Sequence, residues 1–218
     1  MSPTPSAAVL DGTPGERAVA AAGALGQDAL TAWCTDLLSR RSRWGHPDLP
    51  DVGWVGGRVA STWGAPGHLT AETDYWCQVW AARTLLHVWS EACTADVVAG
   101  LRDPAWRVRE MCAKVAARWE VAEAADASLV LVDDAVPRVR AAAVRVLGVA
   151  GEAEHVVGVR QALDDPEPVV REAADRALRR LEERLDRPAD QGTATRKTGQ
   201  PISVRHADRS GVSRGPTR

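Results

Sequence analysis

The sequence predicts an all-α fold, a short α-solenoid of helical hairpins preceded by an N-terminal helical extension. Three observations support this prediction. The 218 residues include no Phe and no Asn, and the only Ile is Ile202, whereas the helix formers Ala, Leu, Arg and Glu are abundant. A 31-residue repeat runs through the second half of the chain. Within each repeat the apolar residues recur at helical spacing.

The repeat is defined by matched columns that begin at Asp103, Asp134 and Asp165. Residues on both sides of each Asp stay in register, so the repeat is a whole structural unit and not one motif. The clearest columns are Val108, Val139 and Val170; Arg109, Arg140 and Arg171; and Lys114, Arg145 and Arg176.

Each unit predicts two antiparallel helices. We expect the Asp to be the N-cap of the first helix, with Pro104 or Pro166 as the first helical residue. Breaks near Glu120 and around 148–151 separate this helix from a second, shorter one, predicted at 125–132 and 154–163. Because one hairpin cannot bury its apolar face alone, neighbouring hairpins must stack.

Additional copies flank these units. A degenerate earlier copy predicts helices at 74–90 and 94–102. The last copy has only its first helix, which continues in polar residues to Asp186, as a terminal cap requires.

The run Asp165-Pro166, Val170-Arg171, Ala174 and Ala177-Leu178 resembles the short HEAT-like repeat of the phycobilisome-lyase type. The resemblance covers about residues 74–187 and is weaker in the copy that begins at Asp134. It implies a right-handed α-solenoid. Repeats of this type serve in scaffolds, chaperone-like lyases and enzymes, so the resemblance defines the fold better than the function.

The N-terminal part does not repeat. Residues 1–13 are expected to be disordered, and 14–73 to form a helical pair followed by a loop rich in Gly, Pro and Trp. Thr13, Pro14 and Glu16 predict a capping box at the start of the pair. The loop is expected at 44–70, the repeats at 74–187, and a disordered basic tail at 188–218.

Two sets of residues are candidates for a site. Trp44, Trp54 and Trp63 either fill the core, in a chain without Phe, or anchor a partner protein. The second set would form either a structural Asp–Arg ladder along the repeats or a row that binds anions. Its members are Asp103, Arg109, Asp134, Arg140, Asp165 and Arg171.

No catalytic, metal or cofactor motif is recognised. Cys34, Cys77, Cys93 and Cys112 lack the spacing of a zinc site or a disulfide framework, which predicts reduced thiols in a cytoplasmic protein. The pairs Asp133-Asp134 and Asp164-Asp165 could act as acid and base, but helix capping accounts for them. No apolar stretch reaches the ~18–20 residues of a membrane span.

We therefore predict a non-catalytic scaffold that binds another protein. The alternative is an enzyme, either similar to the HEAT-like DNA-alkylation-repair glycosylases or of the lyase type. Residues 74–187 hold 20 acidic and 16 basic residues, which disfavours nucleic acid as a partner. The second helices, expected to line the concave side with Asp96, Ala99, Ser128, Val130, His155 and Gly158, present no row of Arg or Trp.

Overall fold

The computed structural model describes residues 3–42, 48–63, 70 and 73–186, and within them every regular element is helical. The prediction of an all-α fold is confirmed. The α-helices are α1 (Ala7–Asp11), α2 (Pro14–Leu25), α3 (Gln27–Leu38), α4 (Gly53–Trp63), α5 (Trp76–Leu85), α6 (Thr94–Gly100), α7 (Trp106–Trp119), α8 (Ala125–Leu131), α9 (Pro137–Ala150), α10 (Val156–Gln161) and α11 (Pro168–Leu185).

The repeats form two layers of helices. The first helices of the units, α5, α7, α9 and α11, pack side by side, and α9 lies between α7 and α11. The second helices, α6, α8 and α10, each follow a short 3₁₀ turn and pack against the first helices. Val108, Val139 and Val170 are fully buried, as the 31-residue register requires.

The N-terminal helices share the core of the first repeats. Thr13 and Glu16 form the predicted capping box at the start of α2, and Pro14 is its first residue. Leu30, Cys34 and Leu37 of α3 are fully buried in the same apolar cluster as Leu85 of α5. Burial of this apolar surface joins the non-repeating helices to the array.

Two predictions about this part of the chain are wrong. Residues 1–13 were expected to be disordered, but Ala7–Asp11 form helix α1, capped by the Ser6 hydroxyl. Residues 44–70 were expected to form a loop, but Gly53–Trp63 form helix α4, which packs against α1, α2 and α5. This helix was not predicted because glycine disfavours a helix. Gly57 has a φ of 69°, a left-handed conformation that interrupts α4 at a kink.

Some predicted segments lie outside the described residues. These are the ends of the 44–70 segment, including Trp44, and the basic tail at 188–218. In the helices that the structure describes, none is long and apolar enough to cross a membrane.

Helices α9 and α11 approach each other closely at Gly148. A Cβ atom at this position of α9 would lie 2.8 Å from both Cα and Cβ of Ala177 in α11. The Cα atom of Ala177 belongs to the backbone and cannot rotate away. Any side chain at position 148 must therefore push the two helices apart.

We expect Gly148→Ala to lower the free energy of unfolding by about 1–3 kcal/mol, because the added methyl overpacks the α9–α11 contact. Urea unfolding followed by circular dichroism measures this change. Gly23→Ala is the matched control: Gly23 is exposed within α2, has no atom within 4 Å of a built Cβ, and should gain up to about 1 kcal/mol. Equal effects at the two positions would contradict the packing argument.

Candidate functional site

The predicted Asp and Arg residues form one continuous ladder across the repeats. Arg109 donates from Nε to Asp134 Oδ2 at 2.8 Å and from Nη1 to the Asp103 carbonyl at 2.9 Å. Arg140 repeats this arrangement one unit later, with Nε 2.6 Å from Asp165 Oδ2 and Nη1 2.8 Å from the Asp134 carbonyl. Each guanidinium therefore links its own unit to the next.

The two ends of the ladder differ. Arg171, in the last unit, donates to the carbonyls of Asp165 and Pro166, at 2.7 and 2.9 Å, and to no other residue that the structure describes. At the other end, Asp103 accepts a hydrogen bond from Arg40 Nη1 at 2.6 Å, and this contact raises the pKa of Arg40. Arg40 thus adds an N-terminal member to the ladder.

Sequence reasoning missed Arg40 because it does not belong to the repeat. The earlier copy lies 30 residues before the unit of Asp103, so the position of an earlier ladder Arg is taken by Val79, which is buried. Arg40, with a φ of 59°, directly follows the C-cap of α3 and supplies the guanidinium from another part of the chain. The sequence carries no signal for this substitution.

Each Asp lies two residues before the N-cap of its helix, whereas it was predicted to be the N-cap itself. Asp103 Oδ1 accepts from the Ala105 amide at 2.8 Å, and Ala105 is the N-cap of α7. Asp134 and Asp165 make the same contact with the residue two positions later. Each carboxylate therefore closes a turn before the helix, and the prediction that it is the N-cap is wrong. In Asp134, Oδ1 closes this turn while Oδ2 accepts from Arg109; in Asp165, Oδ1 also accepts from Arg140 Nη2, at 2.9 Å.

The two inner Arg residues of the ladder have little capacity to bind an external anion. Arg109 and Arg140 are each bonded to an Asp carboxylate and to a backbone carbonyl. Their partners Asp134 and Asp165 are buried, with side chains only 5% and 7% exposed. These contacts stabilise the stacking of units, which is a structural role.

The Arg140–Asp165 contact predicts a pH dependence of stability. Hydrogen bonds from Arg140 hold the pKa of Asp165 below its ordinary value of 3.8. A carboxyl group with a lowered pKa in the folded state stabilises the protein above its ordinary pKa, and this contribution is lost as the pH falls through the folded value.

We expect the difference in unfolding free energy between the wild type and Asp165→Asn to be constant near neutral pH and to shrink below about pH 4. Asn retains an oxygen for the Glu167 amide, so the variant removes the charge while keeping the turn. Urea unfolding at about pH 7, 5 and 3 measures the difference. A difference that persists unchanged at the lowest pH would show that the ion pair does not contribute.

The three candidate Trp residues have different environments. Trp54 is 5% exposed, and its Nε1 donates to the Pro3 carbonyl at 2.9 Å, so it belongs to the core and is not an anchor for a partner. Trp63 is partly buried, with its ring centroid 6.3 Å from that of Trp76 and 6.2 Å from that of Trp80. Trp44 lies outside the described residues.

The second helices expose a different surface from the one expected. Ser128, His155 and Gly158 were placed on the concave side, but all three are buried. The imidazole of His155 accepts from the Glu152 amide at Nδ1, 2.9 Å away, and lies 3.1 Å from Asp126 Oδ1 through Nε2. Because Nδ1 is an acceptor, the proton lies on Nε2, and the ring connects α10 to α8.

The exposed residues of these helices include two large apolar side chains. Val130 of α8 and Val157 of α10 are 74% and 68% exposed. The helices that carry them are in contact, since a Cβ on Gly158 would come within 2.3 Å of Leu129 Cδ1. Three acidic residues on α8 or in the turns just before α8 and α10 are also exposed: Glu123, Asp126 and Glu154.

The four cysteines are buried free thiols. Burial raises the pKa of Cys112 and Cys34 far above the ordinary thiol value, and that of Cys77 to about 12. A buried thiol with a raised pKa is a poor nucleophile, so Cys112 acts as a small apolar side chain of the core. Among the described residues, no three His, Cys, Asp or Glu side chains are grouped so that they could hold a metal ion.

Comparison with known proteins supports the type of repeat. Residues 129–191 match a family model described as HEAT repeats, a segment that runs from the end of α8 through α11. The repeats in this segment are therefore HEAT-like. Searches of curated proteins and of solved structures gave no significant match.

Proposed function

We propose that the protein is a non-catalytic scaffold that binds another protein through the surface of α6, α8 and α10. The proposal depends chiefly on the exposure of Val130 and Val157 on two helices that touch each other. Neither side chain contributes to the core, and an apolar area with a polar rim is typical of protein interfaces.

The surroundings of this area indicate the chemistry of the partner. Asp126, whose side chain is 95% exposed, lies on α8 with Val130, and Glu123 and Glu154 precede α8 and α10. Beside α8, an open groove is lined by Ala95, Val98 and Ala99 of α6 together with Glu123. A partner with apolar anchors between basic residues would complement both features.

The type of repeat supports the proposed function, and four more specific predictions accompany it. HEAT repeats commonly act as interaction scaffolds, which supports the general function. The phycobilisome-lyase subtype of the repeat, its right-handed superhelix and a cytoplasmic location remain predictions, as does a role for Trp44 and Trp63 as additional anchors.

The test compares two pairs of exposed valines. Val130→Asp with Val157→Asp adds two charges to the proposed surface, and Val19→Asp with Val59→Asp adds the same charges to α2 and α4. Val19 and Val59 are 64% and 53% exposed, so both double variants should fold like the wild type.

Affinity capture from the native host, quantified by mass spectrometry, should show proteins that the wild type and the α2/α4 variant retain and the α8/α10 variant loses. Calorimetry with the purified partner would then measure the loss of affinity. The same partners retained by all three proteins, or lost equally by both variants, would contradict the proposed surface.

A further inference from the structure

The first helices expose a basic surface on the side that faces away from α6, α8 and α10. Helix α9 is covered by α7, α11, α8 and α10, and its only exposed residues are Arg138 and Arg145, the latter partly desolvated. We call this surface the basic face; it consists of Arg107, Arg138, Lys114, Arg145 and Arg176.

Direct contacts connect the cations of α7 and α9. The Arg107 guanidinium lies 4.3 Å from the centre of the Trp106 ring, and that of Arg138 lies 5.7 Å from the same ring. Arg138 Nε and Lys114 Nζ donate to the same oxygen of Glu110, at 3.0 and 2.8 Å. A single buried carboxylate therefore serves two cations.

The charges continue from α9 to α11. Arg176 lies 3.9 Å from Glu172, at the outer limit of an ion pair. Together, the five cations of the basic face have two nearby carboxylates, Glu110 and Glu172, which leaves the surface positive on a chain of net charge -2. The basic face thus has the opposite sign from the protein as a whole.

Arg145 lies on α9, between the helices that carry Lys114 and Arg176. It has neither a hydrogen bond nor an ion pair with any residue that the structure describes. Burial lowers its pKa, the charge of Arg176 acts in the same direction, and Glu110 only partly opposes them. A guanidinium under these conditions is stabilised by an incoming anion.

The cations also recur at a regular distance. Lys114, Arg145 and Arg176 are 31 residues apart and occupy equivalent positions on α7, α9 and α11. Packed helices are about 8–10 Å apart. A segment in the extended polyproline II conformation rises about 3.1 Å per residue with three residues per turn, so every third side chain lies on the same face, about 9 Å apart, and would meet the next cation.

We infer that the basic face binds an extended acidic segment of another protein that carries a carboxylate at about every third residue. Nucleic acid fits this surface less well. The Trp106 ring is already covered by guanidinium groups, so bases cannot stack on it.

This inference goes beyond the proposed function, because it assigns a second surface on the other layer of helices. The two proposals can fail independently. Val130→Asp with Val157→Asp should leave binding at the basic face unchanged, whereas Arg145→Glu should leave binding at α8 and α10 unchanged.

The probe is a fluorescein-labelled peptide of about a dozen residues with Glu at every third position and Pro or Ser between, and fluorescence anisotropy with the full chain measures its binding. We expect binding that weakens with added salt, and no binding of the same peptide with Gln in place of Glu. Arg145→Glu should weaken binding about tenfold or more.

The matched control is Arg102→Glu. Arg102 is exposed beside α6, makes no ion pair within the described part of the chain, and undergoes the same change of charge. It should change the affinity by less than about twofold. Because Arg145 is exposed and unpaired, its variant should fold like the wild type, which circular dichroism verifies.

Three outcomes would overturn the inference. One is equal weakening by Arg145→Glu and Arg102→Glu, which would indicate only a response to net charge. The second is no binding of the Glu peptide at low salt. The third is tighter binding of a short DNA duplex than of the peptide, lost on Arg145→Glu, which would assign the surface to nucleic acid.

Discussion

Leu147→Ala should lower the free energy of unfolding by about 2–5 kcal/mol, because it removes a leucine side chain from a site that cannot collapse. Leu147 lies in α9 and is fully buried. Helices pack around it on several sides: it belongs to the apolar cluster that includes Val159 of α10 and both Val170 and Leu181 of α11.

Urea unfolding followed by circular dichroism tests this expectation, with Leu185→Ala as the control. Leu185 is the last residue of α11 and is 36% exposed, so its truncation should cost less than about 1 kcal/mol. A loss at position 147 no larger than the one at position 185 would contradict the buried register of the repeats.

The pattern of unfolding should also be local. The cluster around Leu147 is separate from the larger one that joins α2–α5 to α7 and α9. Because each unit of a repeat array contacts only its neighbours, a cavity in the smaller cluster should loosen α10 and α11 before the N-terminal helices. Hydrogen exchange would show this as loss of protection in α10 and α11 first.

The success and failure of the sequence predictions follow from how local each signal is. The repeats were predicted well because Val108, Val139 and Val170 perform one packing role in successive units, and repetition makes such a role visible. The capping box of α2 was equally predictable, because Thr13 and Glu16 interact across only three residues.

The failures occur where tertiary contacts determine the structure. Helix α4 contains Gly53, Gly56 and Gly57, which disfavour an isolated helix, yet its Trp54 and Ala60 are buried against the neighbouring helices. Packing therefore outweighs propensity in this segment. The basic face was also not predicted, because its sign appears only when Arg138 and Arg145 are seen to be the exposed residues of α9.

Asp134→Ala should lower the free energy of unfolding by about 2–4 kcal/mol, more than the ~1 kcal/mol typical of a lost helix cap. The structure explains the larger value, because this carboxylate has two functions. Its Oδ1 closes the turn before α9 by accepting from the Val136 amide, and its Oδ2 accepts from Arg109 of the preceding unit, each at 2.8 Å.

Asp134→Asn separates the two functions. The amide oxygen can still close the turn, but the side chain no longer carries the charge that Arg109 binds. We expect Asn to lose less than Ala, and the difference between the variants measures the contribution of the turn. Urea unfolding of both variants provides the values.

A double-mutant cycle with Arg109→Ala then isolates the contact between units. If the ladder couples successive repeats, the combined loss of Asp134→Ala and Arg109→Ala will be smaller than the sum of the single losses, since each single change leaves a partly buried group without its partner. Additive losses would mean that Asp134 acts only within its own turn. The stacking of α9 on α7 would then depend on apolar burial and on the Arg138–Glu110 contact, and not on the ladder.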